Sequence, residues 1–213
     1  EQFLNEHSEF PVSGKSVKST LHSVPDCQAI VKKAIVERLK SKYKHVSWFE
    51  EKGPKVPIEV SILKNKVTLT IDTSGEGLHR RGYRISQGGA PIKETLAAAL
   101  ILLTNWTPDK PFVDPFCGSG TIPIEAALIG QNIAPGFNRD LISEKWHWMK
   151  ESVWDEARNE AEDLANYDQE LTIFGSDIDH KMVNIAKANA LEAGLADLIQ
   201  FKQMQGTGRH TDL

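Results

Sequence analysis

The sequence has little cysteine, no long apolar run and no metal-binding motif. Its 213 residues include only two cysteines, Cys27 and Cys117, so neither a disulfide framework nor a cysteine-based zinc site is expected. No apolar stretch approaches the ~20 residues of a membrane-spanning helix, and the N-terminus lacks the features of a secretion signal. The seven histidines are scattered, without an HExxH or other paired spacing. These absences predict a cytoplasmic protein with no metal site and no membrane partner.

Charge is unevenly distributed along the chain. Residues 1–90 contain 15 Lys and Arg against 10 Asp and Glu, whereas the remainder contains 10 against 19. A basic N-terminal part suggests an anionic partner such as a nucleic acid. The lysines between positions 32 and 44 would equally well form the solvated face of a helix. Charge alone therefore leaves nucleic-acid binding open.

The N-terminal part carries the pattern of a small α+β domain. Pro25 can open a helix, and apolar residues then recur at helical spacing as far as Leu39. Apolar and polar residues alternate over 58–62 and again over 67–71. Lys64 and Asn65 lie between the two stretches and fit a tight turn, so the pattern predicts a β-hairpin.

Residues 76–90 are rich in glycine and form the predicted linker after a first domain at residues 1–75. Arg80, Arg81 and Arg84 surround a tyrosine there. A basic and aromatic cluster of this kind can grip a phosphate backbone. A hinge in which the arginines pair with acidic neighbours explains the same residues equally well.

The chain from residue 91 to residue 213 alternates between helix and strand patterns. A helix from Pro91, the short strand PFVD and a helix from Thr121 to Ile129 are followed by the strands LTIFGSD and LIQFKQM, with a helix between them. This alternation predicts a parallel, doubly wound α/β sheet. In the polar segment before LTIFGSD, apolar residues from Trp146 to Leu164 predict one amphipathic helix.

The stretch VDPFCGSGTIPIEAALIG, residues 113–130, places a glycine-rich turn between a strand and a helix. A P-loop needs a lysine in such a turn, and no lysine lies between Lys110 and Lys145. A dinucleotide-binding turn needs a third glycine, where this sequence has Pro123. Phosphate-bearing ligands are therefore disfavoured. Cys117 has no nearby histidine or lysine in sequence to activate it, so it is expected to be a small residue lining the turn.

S-adenosylmethionine fits the turn better, since it carries an ammonium and a sulfonium but no phosphate. Asp114, at the end of the first strand, can attract the ammonium, and Asp177, at the end of the next, can accept the ribose hydroxyls. Gly118 and Gly120 would let the ligand approach the backbone. Alternatively, Asp114 caps the turn and Asp177 caps the helix that begins near Asp179. Two acids at adjacent strand ends favour the cofactor interpretation.

The string DPFCGSGT resembles the first motif of class I methyltransferases that act on exocyclic amino groups of nucleobases. Four longer stretches are similar to the THUMP-containing RNA methyltransferases: FPVSGKSVKSTLHSVPDCQAIVKKAIVERL, DTSGEGLHRRGYR, APIKETLAAALI and DPFCGSGTIPIEAALIGQNIAPGFNR. Members of that family are often labelled N6-adenine-specific DNA methylases, and studied relatives methylate guanine N2 of large-subunit rRNA or tRNA. The resemblance covers roughly residues 8–204.

The resemblance implies a THUMP domain that docks structured RNA, rRNA above all, and a Rossmann-like domain that binds S-adenosylmethionine. The residues it implies for the cofactor are Thr95, Asp114, Cys117, Gly118, Ser119, Gly120, Thr121, Asp177 and Ile178. The residues expected to contact RNA are Lys15, Lys18, Arg80, Arg81 and Arg84.

The catalytic motif of the family, Asn-Pro-Pro-Tyr or Asp-Pro-Pro-Tyr, is missing from this sequence. After Met204 the chain reads QGTGRHTDL and departs from the family pattern. Only three strands of the usual seven can be placed, so residues 91–213 are expected to hold the cofactor-binding half of a sheet that stops after its third strand. We assign no catalytic residue and expect this chain alone to be inactive. N6-adenine methylation of DNA and a non-catalytic, RNA-binding fragment remain as alternatives.

Overall fold

The computed structural model describes residues 2–85 and 91–206. The chain divides into two compact units, each built from two segments. Unit 1 comprises Glu1–Glu76 and Asp140–Trp154, and unit 2 comprises Gly77–Arg139 and Asp155–Leu213. This division differs from the boundaries predicted from sequence, because the segment 140–154 belongs with the N-terminal unit.

Unit 1 is a three-stranded sheet with one long helix. Its elements are β1 (Val12–Val17), α1 (Val24–Lys42), β2 (Ile58–Leu63) and β3 (Lys66–Ile71). The strand order is β1-β2-β3, with β1 parallel to β2 and β2 antiparallel to β3. The predicted helix and hairpin are both confirmed.

The hairpin turn explains the register of β2 and β3. Lys64 and Asn65 have φ angles of 49° and 64°, the left-handed pair that a two-residue hairpin turn requires. This turn pairs Val60 with Leu69. The inward side chains of β2 are buried, whereas most of β3 is exposed. The alternation in β2 therefore marks the core face of the sheet.

The sequence analysis did not predict β1. Its residues VSGKSV alternate only between half-buried and exposed, so no strongly apolar face marks them as a strand. Gly14 also weakens the pattern, and its place in the sheet is explained by packing. A β-carbon on Gly14 would lie 3.1 Å from side-chain atoms of Gln28, Val24 and Val60.

The second segment of unit 1 completes the core of that unit. Trp146 is buried against the cluster that contains Phe10 and Val56, and its indole Nε1 donates a hydrogen bond to the Lys55 carbonyl at 2.8 Å. A short 3-10 helix, Ile142–Lys145, precedes it. The predicted single helix from Trp146 to Leu164 is therefore wrong at its start. Helix α4 spans Glu151–Leu164, because Trp146 is used for packing on unit 1 instead.

Unit 2 is a parallel α/β sheet. Its elements are α2 (Glu94–Leu102), β4 (Phe112–Asp114), α3 (Thr121–Gly130), β5 (Ile173–Asp177), α5 (His180–Glu192) and β6 (Ile199–Gln203). The strand order is β4-β5-β6 and both pairings are parallel, which confirms the predicted sheet. Helix α2 begins at Glu94 rather than at Pro91, since Lys93 still has an extended backbone.

Helix α3 lies at the centre of the unit 2 core and is buried along most of its length. Ala126 and Ala127 are fully buried, and at Gly130 a β-carbon would lie 2.8 Å from the Leu171 side chain. Small residues are needed because the helix approaches its neighbours closely. This packing fixes the start of α3, where the glycine-rich turn ends.

Across the described residues, no helix is both long and apolar enough to cross a membrane. The same part of the chain contains no group of three or more His, Cys, Asp or Glu side chains arranged to hold a metal ion.

Replacing Trp146 with alanine should destabilise unit 1 strongly. The substitution leaves a large cavity and removes the indole donor of the Lys55 carbonyl, so we expect the free energy of unfolding to fall by about 3–5 kcal/mol. Chemical denaturation measures this change. Trp48→Ala is the matched control, because Trp48 is 80% exposed and its loss should cost less than about 0.5 kcal/mol. Equal effects of the two substitutions would contradict the packing described for Trp146.

Candidate cofactor site

The glycine-rich turn is held against the sheet by its backbone. Strand β4 ends at Asp114, and α3 begins at Thr121. Between them, Cys117 N donates to the Ser176 carbonyl on β5 at 2.8 Å, and Gly120 N donates to the Cys117 carbonyl at 2.8 Å. The turn therefore lies at the carboxyl end of two adjacent parallel strands, where ligands of open α/β sheets bind.

Asp177, at the end of β5, fixes the turn directly. Its Oδ2 accepts a hydrogen bond from Gly118 N at 3.0 Å, and its Oδ1 accepts one from Asp179 N at 2.9 Å. It is not the cap of α5, because Asp179 accepts from Lys181 N at 2.8 Å and occupies the N-cap position. Each carboxylate oxygen of Asp177 has a second lone pair with which it can accept another donor.

Asp114 has one oxygen with a hydrogen-bond partner and one without. Its Oδ1 accepts from Phe116 N at 3.0 Å, which caps the turn as the alternative interpretation expected. Its Oδ2 is buried and has no hydrogen-bond partner among the described residues. Burial raises the pKa of Asp114, the nearby charge of Asp177 raises it further, and the Phe116 N–H opposes both. A cationic group beside Oδ2 would satisfy this carboxylate.

The two glycines of the turn do different work. At Gly118 (φ 51°) a β-carbon would have no heavy atom within 4 Å, so the space beside it is open. At Gly120 (φ 82°) a β-carbon would lie 2.9 Å from the Ala186 Cβ and 3.1 Å from the Phe201 ring. Gly118 leaves room for a ligand, whereas the absence of a side chain at Gly120 allows α3, α5 and β6 to pack. The expectation that both glycines admit a ligand remains a prediction.

Cys117 is a protonated thiol and is not suited to act as a nucleophile. It is buried, and burial, followed by the charges of Asp114 and Asp177, raises its pKa to about 12. A thiolate would be needed for nucleophilic attack, and it does not form at neutral pH with such a pKa.

Ser119 and Thr121 support the turn from inside the protein. Both are buried, and their hydroxyl oxygens lie 3.5 Å apart. The Ser119 carbonyl accepts from the buried Asn189 side chain at 3.0 Å. Their predicted cofactor contacts remain predictions, and the described geometry gives both hydroxyls an internal position.

Thr95 and Ile178 are the exposed members of the predicted cofactor set. Ile178 follows Asp177 and is 65% exposed, although its carbonyl accepts from Gln203 Nε2 at 3.0 Å. Thr95 lies in the first turn of α2, next to the buried Glu94. An exposed apolar side chain beside a polar site suits the flat face of a ligand ring.

The predicted RNA-binding residues fall into two groups. Lys15 and Lys18 in unit 1, and Arg80 in unit 2, are exposed, and Lys15 forms an ion pair with Glu59 at 2.8 Å. Arg81 and Arg84 instead turn inward. Their side chains are only 11% and 12% exposed and pair with Glu125 and Glu94 at 3.4 and 3.2 Å. These pairs match the alternative interpretation, in which arginines of this segment bind acidic neighbours.

Sequence reasoning missed two residues next to this turn, namely Glu125 and Asn189. Both are buried and hydrogen-bonded. The available signal was Glu125, a single acid in the otherwise apolar stretch TIPIEAALIG, because a lone buried carboxylate must have partners.

Comparison with protein families matches both parts of the chain. Residues 81–212 match the UPF0020 family, described as an RMKL-like methyltransferase domain, and residues 1–72 match the THUMP domain. The chain belongs to the RMKL-like methyltransferase family. The resemblance of the sequence to THUMP-containing methyltransferases is confirmed, and so is the fold class.

Three relatives of this RMKL-like chain illustrate the similarity. The Bacillus subtilis (strain 168) protein named "Putative RNA methyltransferase YpsC" is 70% identical over 204 residues, which are 95% of this chain and 53% of the relative. A predicted N6-adenine-specific DNA methylase from Listeria monocytogenes str. 4b F2365 has a crystal structure with a TM-score of 0.95 at 66% identity, over 100% of this chain and 56% of that chain. SMU.472, "a putative methyltransferase complexed with SAH", has a TM-score of 0.92 at 50% identity, over 99% and 56%. The chain thus spans about half the length of these relatives.

The two glycines should respond differently to alanine. Gly118→Ala meets only the left-handed backbone penalty, about 1–2 kcal/mol. Gly120→Ala has the same backbone penalty plus overpacking against Ala186 and Phe201, which adds about 1–3 kcal/mol. Thermal unfolding of the two variants compares these costs. A Gly118 variant less stable than the Gly120 variant would contradict the described packing.

Asp114→Asn should stabilise the ligand-free protein. The pKa of Asp114 is raised, so its ionisation at neutral pH opposes folding, and the stability that this group contributes is lost as pH rises through its folded pKa. We therefore expect the free energy of unfolding at pH 7 to rise. Asp109→Asn is the control, since Asp109 is exposed and its pKa is lowered by the Thr107 side chain. A loss of stability in the Asp114 variant would sink this interpretation.

Proposed function

We propose that the protein carrying this chain is an S-adenosylmethionine-dependent methyltransferase that modifies an exocyclic amino group of a base in structured RNA. The observation that carries the proposal is the pair Asp114 and Asp177 at the ends of adjacent parallel strands, with a buried Asp114 oxygen that lacks a partner. A relative 50% identical to this chain was crystallised with SAH, the product that S-adenosylmethionine leaves after methyl transfer.

The residues of the turn suit this cofactor by charge and by space. Asp114 Oδ2 would accept the α-ammonium, and the free lone pairs of Asp177 would accept the ribose hydroxyls. The open side of Gly118 leaves room for the ligand backbone. Two carboxylates at one turn attract a cation and repel a pyrophosphate, which disfavours nucleotide di- and triphosphates.

When bound, S-adenosylmethionine supplies an electrophilic methyl group on a positively charged sulfur. The chain's own contribution is to bind and orient the cofactor. An exocyclic amine can lose its proton after attack, so no base with a strongly shifted pKa is required. The target base must leave its stack to present that amine. In the family, the groups that position the amine belong to the Asn-Pro-Pro-Tyr motif, which this sequence does not contain, so the activity proposed is that of the whole protein.

RNA is the proposed substrate because of the N-terminal unit. A THUMP domain matches residues 1–72, residues 1–90 carry excess positive charge, and the 70% identical Bacillus subtilis relative is named as an RNA methyltransferase. The family resemblance supports guanine N2 of rRNA as the proposed target, and the cytoplasm is the proposed location. Lys15, Lys18 and Arg80 are the exposed cations proposed to meet the RNA backbone.

A second candidate, N6-adenine methylation of DNA, is favoured by the description of the Listeria monocytogenes relative. Both activities use the same chemistry at an exocyclic amine. Transfer of a labelled methyl group from S-adenosylmethionine to rRNA and to duplex DNA by the full-length protein separates the two. Label in guanine of rRNA supports the proposal, whereas label only in DNA adenine supports the second candidate. RNA binding without SAH binding would instead indicate a non-catalytic RNA-binding protein.

Asp177→Ala in the full-length protein should abolish SAH binding measured by calorimetry, because the ribose loses its acceptor and Gly118 N loses the bond that fixes the turn. Asp179→Ala is the matched control on the same loop. It removes the cap of α5, at a cost of about 1 kcal/mol of stability, and should retain SAH affinity. Normal SAH affinity in the Asp177 variant would refute the assignment of this site.

A further inference from the structure

Arg84 precedes α2 in the chain and contacts Ile92, just before α2, and Thr121, at the end of the glycine-rich turn. Its Nη2 donates to Thr121 Oγ1 at 2.9 Å and to the Ile92 carbonyl at 3.0 Å. Thr121 is the first residue of α3, and Ile92 comes just before α2. One guanidinium nitrogen therefore contacts the beginnings of two helices.

The same nitrogen forms an ion pair with Glu94, the first residue of α2, at 3.2 Å. Both side chains are almost fully buried. A buried charge is costly unless its partner stays in place, so Arg84 and Glu94 hold each other in a defined position. Arg84 Nε and Glu94 Oε2 have no hydrogen-bond partner among the described residues.

The next residue extends this connection to the other side of the turn. Ile85 N donates to Asn189 Oδ1 at 3.1 Å, and Asn189 Nδ2 donates to the Ser119 carbonyl at 3.0 Å. Two consecutive residues thus contact this region. Arg84 bonds directly to Thr121 at the start of α3, and Ile85 reaches Ser119 of the turn through the buried amide of Asn189. The position of the turn depends on both links.

We propose that Arg84 is a positioning residue for the candidate cofactor site and not an RNA contact. It holds the first turns of α2 and α3 together next to the glycine-rich turn, and so sets the turn in its ligand-binding geometry. The inference rests on the proposed function, in which S-adenosylmethionine is the ligand of that turn. A planar guanidinium suits this role better than an ammonium, because its N–H groups point in fixed directions.

The test measures SAH affinity by calorimetry, and thermal stability, for the full-length protein and three variants. Arg84→Ala should weaken SAH binding about tenfold or more, the value of a hydrogen bond that involves a charged group. Arg84→Lys keeps the charge beside Glu94, so it should restore much of the melting temperature but little of the SAH affinity.

Arg81→Ala is the matched control for a purely structural effect. Arg81 is as buried as Arg84 and also pairs with a buried glutamate, Glu125, but that partner lies one turn inside α3. This variant should lower the melting temperature comparably and leave SAH affinity within about twofold of the parent protein. Equal losses of SAH affinity in the Arg81 and Arg84 variants would overturn the proposal, because they would report general destabilisation.

A double-mutant cycle with Thr121→Val tests the route of the effect. If Arg84 acts through the Thr121 hydroxyl, the two substitutions are not additive, and the double variant binds SAH about as weakly as the weaker single variant. Additive losses of SAH affinity would overturn this route and with it the proposal.

The remaining outcomes separate this inference from the proposed function. A parent protein that binds no SAH refutes both. A parent protein that binds SAH, with an Arg84→Ala variant that binds SAH normally but rRNA more weakly, refutes only the inference and assigns Arg84 to the RNA surface. Normal rRNA affinity with weakened SAH binding in Arg84→Ala is the result that we expect.

Discussion

The hydrogen bond between Gly118 N and Asp177 Oδ2 is the constraint on which the site of unit 2 depends. It joins the turn after β4 to the end of β5, so two strands that are far apart in sequence present their ends at a fixed separation. The neighbouring backbone bond from Cys117 N to the Ser176 carbonyl strengthens the same junction. Asp177 uses only one lone pair of Oδ2 in this bond. It can therefore hold the turn and still accept a hydrogen bond from a ligand.

The glycine-rich turn contains residues that are needed for packing beside a residue whose buried oxygen has no partner. Gly120 is required by the close approach of Ala186 and Phe201, and Cys117 fills space as a buried thiol. Asp114, by contrast, has a buried oxygen that nothing in the described part of the chain satisfies. Local features that are unfavourable to folding are frequent at functional sites, and this oxygen is the feature on which the proposed cofactor site rests.

Sequence reasoning succeeded wherever a local pattern determines structure. The hairpin at Lys64-Asn65, the parallel strands of unit 2 and the strand-end positions of Asp114 and Asp177 all follow from periodicity and turn chemistry. It failed where tertiary contacts decide. Strand β1 lacks a strongly apolar face, and Trp146 continues a helical pattern in sequence but packs on a core formed by residues more than 80 positions earlier. The inward orientation of Arg81 and Arg84 was equally unpredictable, since both the acidic partners and the RNA alternative were consistent with the sequence.

The division of unit 1 into two segments has a consequence for the order in which this protein can be made. During synthesis the chain emerges from its N-terminus, and the residues around Phe10 and Val56 are complete long before Trp146 appears. Until then the Lys55 carbonyl lacks its indole donor and the apolar cluster lacks its largest late member. The N-terminal unit thus cannot reach its final core while only its own first segment exists, and the intervening half of unit 2 must be synthesised before unit 1 is finished.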